Sequence, residues 1–324
     1  MIAGHYRAIE QFRRAWDSRS LHHAWLLAGP RGVGKGHFAR SAATRVLAEA
    51  AGPEFDAAEL ETPENHRIAK LIAAKSHPDQ RLLERLFNEK TGKLARNISV
   101  DQIRELGEFM GLTAALSPWR VVIIDSVDDL EREGANALLK MLEEPPPNTI
   151  FFLVSHAPGR LLPTIRSRCR RLDFQALDDA AMTSVLKEVL PDVTLKERER
   201  LIAFSDGSVG RAVAFAELDL APVEENAIEI LRHGDPRNLL RSGLASQLSR
   251  KGAADRYAAF LELVPSLIAR QARNLPEPQR QRALKAYERV RELIALAPRL
   301  SLDPAATIFQ IGGILASVAP EPVS

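Results

Sequence analysis

The segment Gly29-Pro30-Arg31-Gly32-Val33-Gly34-Lys35-Gly36 carries the spacing G-x-x-x-x-G-K, the pattern of a phosphate-binding loop, or P-loop. In such a loop backbone amides wrap phosphate oxygens at a helix N-terminus, and the lysine reaches the terminal phosphates. The chemistry requires a buried strand before the loop and a helix after it. Ala24 to Ala28 is a short apolar run that stops at Gly29-Pro30, while Phe38, Ala39, Ala42, Val46 and Leu47 recur at helical spacing, so both elements are expected. In a hydrolytic loop the residue after the lysine is Ser or Thr, whose hydroxyl holds Mg²⁺. Here it is Gly36.

A second candidate is Val121-Val-Ile-Ile-Asp125, an apolar β-branched run of the kind buried on both faces of a parallel sheet. Asp125 at its end can hold a metal through water, or simply cap the next loop. A hydrolytic site places a glutamate next, to orient the attacking water. This chain has Ser126, and neither Asp128 nor Asp129 is placed to act as the base. Both departures describe a nucleotide fold that has stopped cutting. Arg160, Arg166, Arg168, Arg170 and Arg171 form a basic run without an acid between residues 159 and 172, which is either a solvated loop or a contact for an anion. Gly207-Ser-Val-Gly-Arg211 offers one more cation, Arg211, either facing a phosphate or exposed on a helical turn.

The elements that must position these residues read as follows. Residues 5–17 form an opening amphipathic helix. Ser99-Val-Asp-Gln102 has capping-box spacing and starts a helix at about 100. Another helix carries Ala135, Leu138, Leu139 and Leu142 and must stop at Pro145-Pro146-Pro147. Thr149 to Val154 is a third strand and Arg171 to Phe174 a shorter fourth, with loops and short helices over 50–80. Strands alternating with helices indicate an α/β P-loop domain, a parallel sheet with flanking helices, over residues 1–175. Beyond it the β signal disappears. Residues 176–218, broken by Pro191 and Asp206-Gly207, suggest a small helical domain, and 222–318 an all-helical block with a tail at 319–324. The chain has 324 residues, 45% hydrophobic and 27% charged, the balance of a globular protein able to bury a full core. One cysteine, Cys169, excludes an internal disulfide framework and a multi-cysteine zinc site. The net charge of +2 does not by itself argue for nucleic acid. Arg270, Arg273, Arg280, Arg282, Lys285, Arg289, Arg291 and Arg299 are either a DNA-facing stripe or the outer face of amphipathic helices. The N-terminus lacks a secretory apolar core, and Ile308 to Ala319 falls short of the ~20 residues of a membrane span. The expected setting is cytoplasmic.

Asn136 through Pro147, Phe151 to Val154 and Thr164-Ile-Arg-Ser-Arg-Cys169, with Leu21 to Pro30 and Ile98 to Arg104, resemble the clamp-loader branch of the AAA+ family through the first ~210 residues. The resemblance implies a RecA-like AAA+ domain, a helical lid and a C-terminal collar that oligomerises. It implies a hetero-oligomeric ring with the gamma/tau ATPase and delta subunits of DNA polymerase III. That ring loads a sliding clamp on primer-template DNA, at the replisome on the nucleoid and away from membranes. The motor subunits of the branch carry Lys-Thr or Lys-Ser and Asp-Glu where this chain has Lys35-Gly36 and Asp125-Ser126. The resemblance therefore implies a subunit with little or no ATPase activity and no polymerase activity, the alternative being a gamma/tau-like motor. Arg168 is then an arginine finger acting on a neighbour's ATP, Arg211 falls in the sensor 2 region, and Ser155-His156 takes the sensor 1 place. ATP or ADP is an optional occupant of the loop and not a required cofactor. Many relatives carry a four-cysteine zinc module before a His-Pro-Asp triplet. This chain keeps His77-Pro78-Asp79 without cysteines, and His22, His23 and His77 are not spaced as a metal set, so no zinc is expected.

Overall fold

The computed structural model describes residues 3–89, 93–297 and 300–320, which fall into two compact units. The first runs to Glu188 and includes Gly207–Gly210; the second comprises Val189–Asp206 and the residues from Arg211 onward. Arg299 and the tail beyond Pro320 lie outside the described residues.

The first unit is built in the order α1 (Tyr6–Asp17), β1 (Ala24–Ala28), α2 (Lys35–Ala51), α3 (Arg67–Ala73), β2 (Gln80–Glu84), β3 (Phe87–Asn88), β4 (Lys93–Leu94), α4 (Val100–Gly111), β5 (Arg120–Asp125), α5 (Arg132–Glu143), β6 (Thr149–Ser155), α6 (Pro163–Arg166) and β7 (Arg170–Asp173). Five strands form one parallel sheet in the order β2-β5-β6-β1-β7, and β3 and β4 make a separate antiparallel ribbon. Both sheet faces are covered, which is why β1, β5 and β6 are continuously apolar. Trp25, Leu27, Val121, Ile123, Phe152 and Val154 pack with Phe12, Phe38 and Val46 of α1 and α2 on one face. Leu26, Val122, Ile124, Phe151 and Leu153 meet Ile103, Leu106, Leu138 and Leu142 of α4 and α5 on the other. Side-chain alternation along a strand produces this two-sided core.

The capping box is present in both halves: Ser99 accepts from the Gln102 amide and the Gln102 side chain accepts from the Ser99 amide. Helix α5 ends at Glu143, before the three prolines. The sheet has one strand more than the four read from the sequence. β2, Gln80-Arg-Leu-Leu-Glu84, is an edge strand in which only Leu83 is buried, so it lacks the apolar run that marks the central strands.

The remaining helices are α7 (Asp179–Val189), α8 (Leu195–Ser205), α9 (Val209–Glu217), α10 (Ala221–His233), α11 (Leu239–Leu248), α12 (Ala254–Ala272), α13 (Glu277–Leu296) and α14 (Pro304–Ala316). The break between α8 and α9 comes at Asp206 and Gly207, both with positive φ. Within the second unit α10 to α14 pack on one another, and Ile230, Leu244, Phe260, Leu263, Val290, Ile308 and Ile311 are buried there. Among the described residues no helix is long and apolar enough to cross a membrane.

Candidate functional site

The P-loop joins β1 to α2 as the spacing requires. Gly34 caps α2 at φ +107°, a conformation that side chains rarely adopt. Arg31, Gly32, Gly34, Lys35, Gly36 and Asp125 line a cavity of about 640 Å³ together with Glu84, Arg85, Asp129, Val154, His156 and Gly210, within the size range of small-molecule sites. The Lys35 ammonium folds back on the loop, donating to Gly29 O at 2.7 Å and to Pro30 O. Burial pushes its pKa down to about 8 against the opposing pull of Asp125 and Asp128. Gly210 N donates to Gly32 O at 2.9 Å and Ser208 Oγ to Arg31 O at 3.0 Å, which fastens the loop from the outside. His5, at the start of α1, is buried with Nε2 2.6 Å from Val33 O, and burial keeps its imidazole below the usual histidine range.

Asp125 stands at the end of β5 beside the loop. Its Oδ2 is 3.6 Å from Arg40 Nη2, and the same nitrogen is 3.6 Å from Glu84 Oε2. A Cβ on residue 36 would collide with Asp125 Oδ2. The side chain that should contribute a metal-binding hydroxyl is therefore absent, its space is taken by the carboxylate, and that carboxylate is paired to a guanidinium. These residues do not fit the Mg²⁺ of a hydrolytic P-loop. Among the described residues no group of three or more His, Cys, Asp or Glu could hold a metal ion.

The other carboxylates near the end of β5 are engaged as well. Asp128 accepts from Ser155 Oγ at 2.8 Å and from the amides of His156 and Ala157 at 2.5 and 3.2 Å. Asp129 accepts from Ser126 Oγ at 3.1 Å and pairs with Arg85 at 3.5 Å. His156 Nδ1 is buried and finds no hydrogen-bond partner among the described residues. Burial, with Lys35 nearby, lowers the His156 pKa.

Arg168 is not part of the cavity wall. It follows α6, with Nη2 2.6 Å from Glu143 Oε1 at the end of α5 and Nη1 donating to Thr164 O at 3.0 Å. Arg211 belongs to the second unit, where it pairs with Asp206 at 2.8 Å and Glu262 at 3.8 Å. In the arginine stripe of that unit, Arg270 lies over the Phe204 ring, Arg291 over Tyr287, and Arg280 pairs with Glu277. Sequence reasoning missed Arg40 and His5. The spacing of Arg40, one turn after Gly36 on α2, was the available signal.

The family described as DNA polymerase III, delta subunit, matches residues 4–178. The DNA polymerase III subunit delta' of Pseudomonas aeruginosa is 38% identical over 186 residues, covering 57% of this chain and 53% of that protein. The DNA polymerase III subunit tau of Bacillus subtilis is 28% identical over 274 residues, 81% of this chain and 45% of that protein. The chain spans about half the length of the curated relatives it matches. Among solved structures, a DNA polymerase III gamma-subunit-related protein of Thermotoga maritima aligns over 95% of this chain and 98% of its own, at 18% identity and a TM-score of 0.45.

Proposed function

The chain belongs to the DNA polymerase III delta-subunit family, and from that premise we propose that it is a delta-prime-like clamp-loader subunit that does not hydrolyse ATP itself. It sits in a hetero-oligomeric ring with gamma/tau and delta subunits, and through that ring helps place the sliding clamp on primed DNA at the replisome. Residues 1–175 are the AAA+ domain, 176–218 the lid and 222–318 the collar. The observation that carries the reading is the P-loop cradle kept without its metal site: Gly29 to Lys35 are in place, but Gly36 has no hydroxyl and Asp125 is paired to Arg40. Arg168 is the finger offered to a neighbour, where a guanidinium at the γ-phosphate stabilises the charge of phosphoryl transfer. Its hold on Glu143 and Thr164 is partly exposed and so weak enough to exchange for a phosphate.

A motor of the gamma/tau kind is the second reading, favoured by the long alignment with a tau subunit. The two separate in steady-state ATP hydrolysis by the reconstituted ring with clamp and primed DNA. A finger in trans requires Arg168→Ala to slow turnover at least about tenfold, while Lys35→Ala leaves it near wild type. Damage from Lys35→Ala with Arg168→Ala silent would establish the motor instead.

A further inference from the structure

We propose that the P-loop cavity takes a polyphosphate group, that of a nucleotide, without a divalent cation, with the Arg40 guanidinium in the metal's place. The inference deepens the non-motor reading of this loop and rests on it, but it does not depend on Arg168.

Gly36 and Arg40 are four residues apart on α2 and so share a face. Because residue 36 carries no side chain, the space above it is open to Arg40 Nη1, which lies 3.0 Å from where a Cβ would stand. From there the guanidinium reaches toward Asp125 and Glu84. A carboxylate at the end of the inner strand β5 and a second from the edge strand β2 would otherwise present two negative charges to an incoming phosphate. In a hydrolytic loop the metal offsets that repulsion. Arg40 is a cation at the same boundary and offers planar donors matched to phosphate oxygens.

The rest of the cradle is preserved. Gly32 and Gly34 keep the backbone at positive φ and α2 presents its N-terminus, while Lys35 stands at the wall with its ammonium on Gly29 O and Pro30 O, carbonyls it would exchange for phosphate oxygens. Arg31, Lys35 and Arg85 in the wall are matched in number by Glu84, Asp125 and Asp129. Arg40 is outside that wall but stands 3.6 Å from its Glu84 and Asp125, and there it tips the balance toward an anion. His156 Nδ1, buried without a partner among the described residues, is one more polar atom that a ligand can satisfy.

The test is calorimetric titration of the full chain with ADP, in millimolar Mg²⁺ and again in EDTA. The proposal expects affinities within about threefold of each other in the two buffers, and a loss of about tenfold or more in EDTA for Arg40→Ala. Arg40 is partly exposed, so the variant should fold, and an unchanged melting temperature verifies it. Arg40→Lys keeps the charge but not the planar fork and should fall between. A parallel titration with pyrophosphate identifies the source of the phosphate chemistry: equal affinity assigns the cavity to inorganic polyphosphate, and tighter ADP to a nucleotide. ADP binding that needs Mg²⁺, an Arg40→Ala variant that binds like wild type, or no heat of binding from either ligand would overturn the proposal. Mg²⁺-dependent binding accompanied by ATP turnover would overturn the non-motor reading too, whereas Mg²⁺-dependent binding without turnover would sink only this inference.

Discussion

Asp79 gives the sharpest quantitative prediction. It ends the His77-Pro78-Asp79 triplet, immediately before β2, and is almost wholly buried at 2% exposure. Its two carboxylate oxygens accept the amides of Ala115, Leu116 and Ser117 at 2.6, 2.7 and 2.9 Å. Its own carbonyl accepts the Val121 amide at the start of β5. The side chain therefore organises the turn that leads from α4 into β5. Asp79→Ala removes three charge-assisted bonds without moving the donors. Ser117 is buried and its amide loses its partner outright, which costs about 1–3 kcal/mol. Ala115 is exposed and Leu116 half-buried, so water recovers part of their loss. About 3 kcal/mol is expected in total, and Asp79→Asn, which keeps one acceptor oxygen, should lose about half of it. For a unit of this size 1 kcal/mol corresponds to roughly 2–4 °C, so Asp79→Ala should melt about 6–12 °C lower. Thermal unfolding by circular dichroism reads the shift, and hydrogen exchange should show protection lost at residues 115–117 before the central strands. A variant melting within about 2 °C of wild type, with those amides still protected, would refute the reasoning.

Two further outcomes follow from titrating groups. Lys35 is held at a pKa near 8 by burial, so between that value and the ordinary lysine value the unfolded chain binds more protons and stability rises with pH. The burial penalty is fully present below pH 8 and is relieved as pH climbs through that window. The stability difference between Lys35→Met and wild type should therefore shift by about 1–3 kcal/mol in favour of wild type from pH 8 to 10.5, and a flat difference would show that the ammonium is not desolvated. Cys169 lies between two arginines in sequence, which alone would favour a reactive thiolate. Burial instead pushes its thiol up to about 12. Iodoacetamide at pH 8 should label the native chain at least about 100-fold more slowly than the denatured one, and comparable rates would show the thiol to be open.

The sequence showed those parts of the fold and site that depend on local chemistry. The strand–loop–helix of the P-loop, the capping box at Ser99 and the proline stop after Glu143 are each encoded within a dozen residues. The buried strands declare themselves because both their faces are covered. β2 does not, since an edge strand with one buried residue carries little periodicity. Pairings across long separations were equally invisible: Arg168 meets Glu143 through the packing of α5 against α6, and Asp79 finds its three amides only once β2 is laid beside β5. The triplet containing Asp79 stood out in the sequence, but its structural task depends on register.

Gly36 and Ser126 were legible as two separate losses, and the structure makes them parts of one rearranged network. Removing a hydroxyl would leave Asp125 free, and a free carboxylate one strand-end from a phosphate could still recruit a metal. On the proposed reading Arg40 closes that route, standing 3.6 Å from both Asp125 and Glu84. Replacing a glutamate by Ser126 would leave Asp128 and Asp129 as stand-in bases only if they were uncommitted. Asp128 is spent on two backbone amides and Ser155, and Asp129 on Ser126 and Arg85. A general base needs a carboxylate free to accept a proton from water, and none of the three carboxylates at the end of β5 is free. Restoring Ser at position 36 and Glu at 126 would therefore also require the Asp125 carboxylate to swing aside, because its Oδ2 stands where the new Cβ would go. On the proposed non-hydrolysing reading, the departure belongs to the network around α2 and β5, where Arg40 stands 3.6 Å from Asp125 and Glu84, and not to either substitution alone.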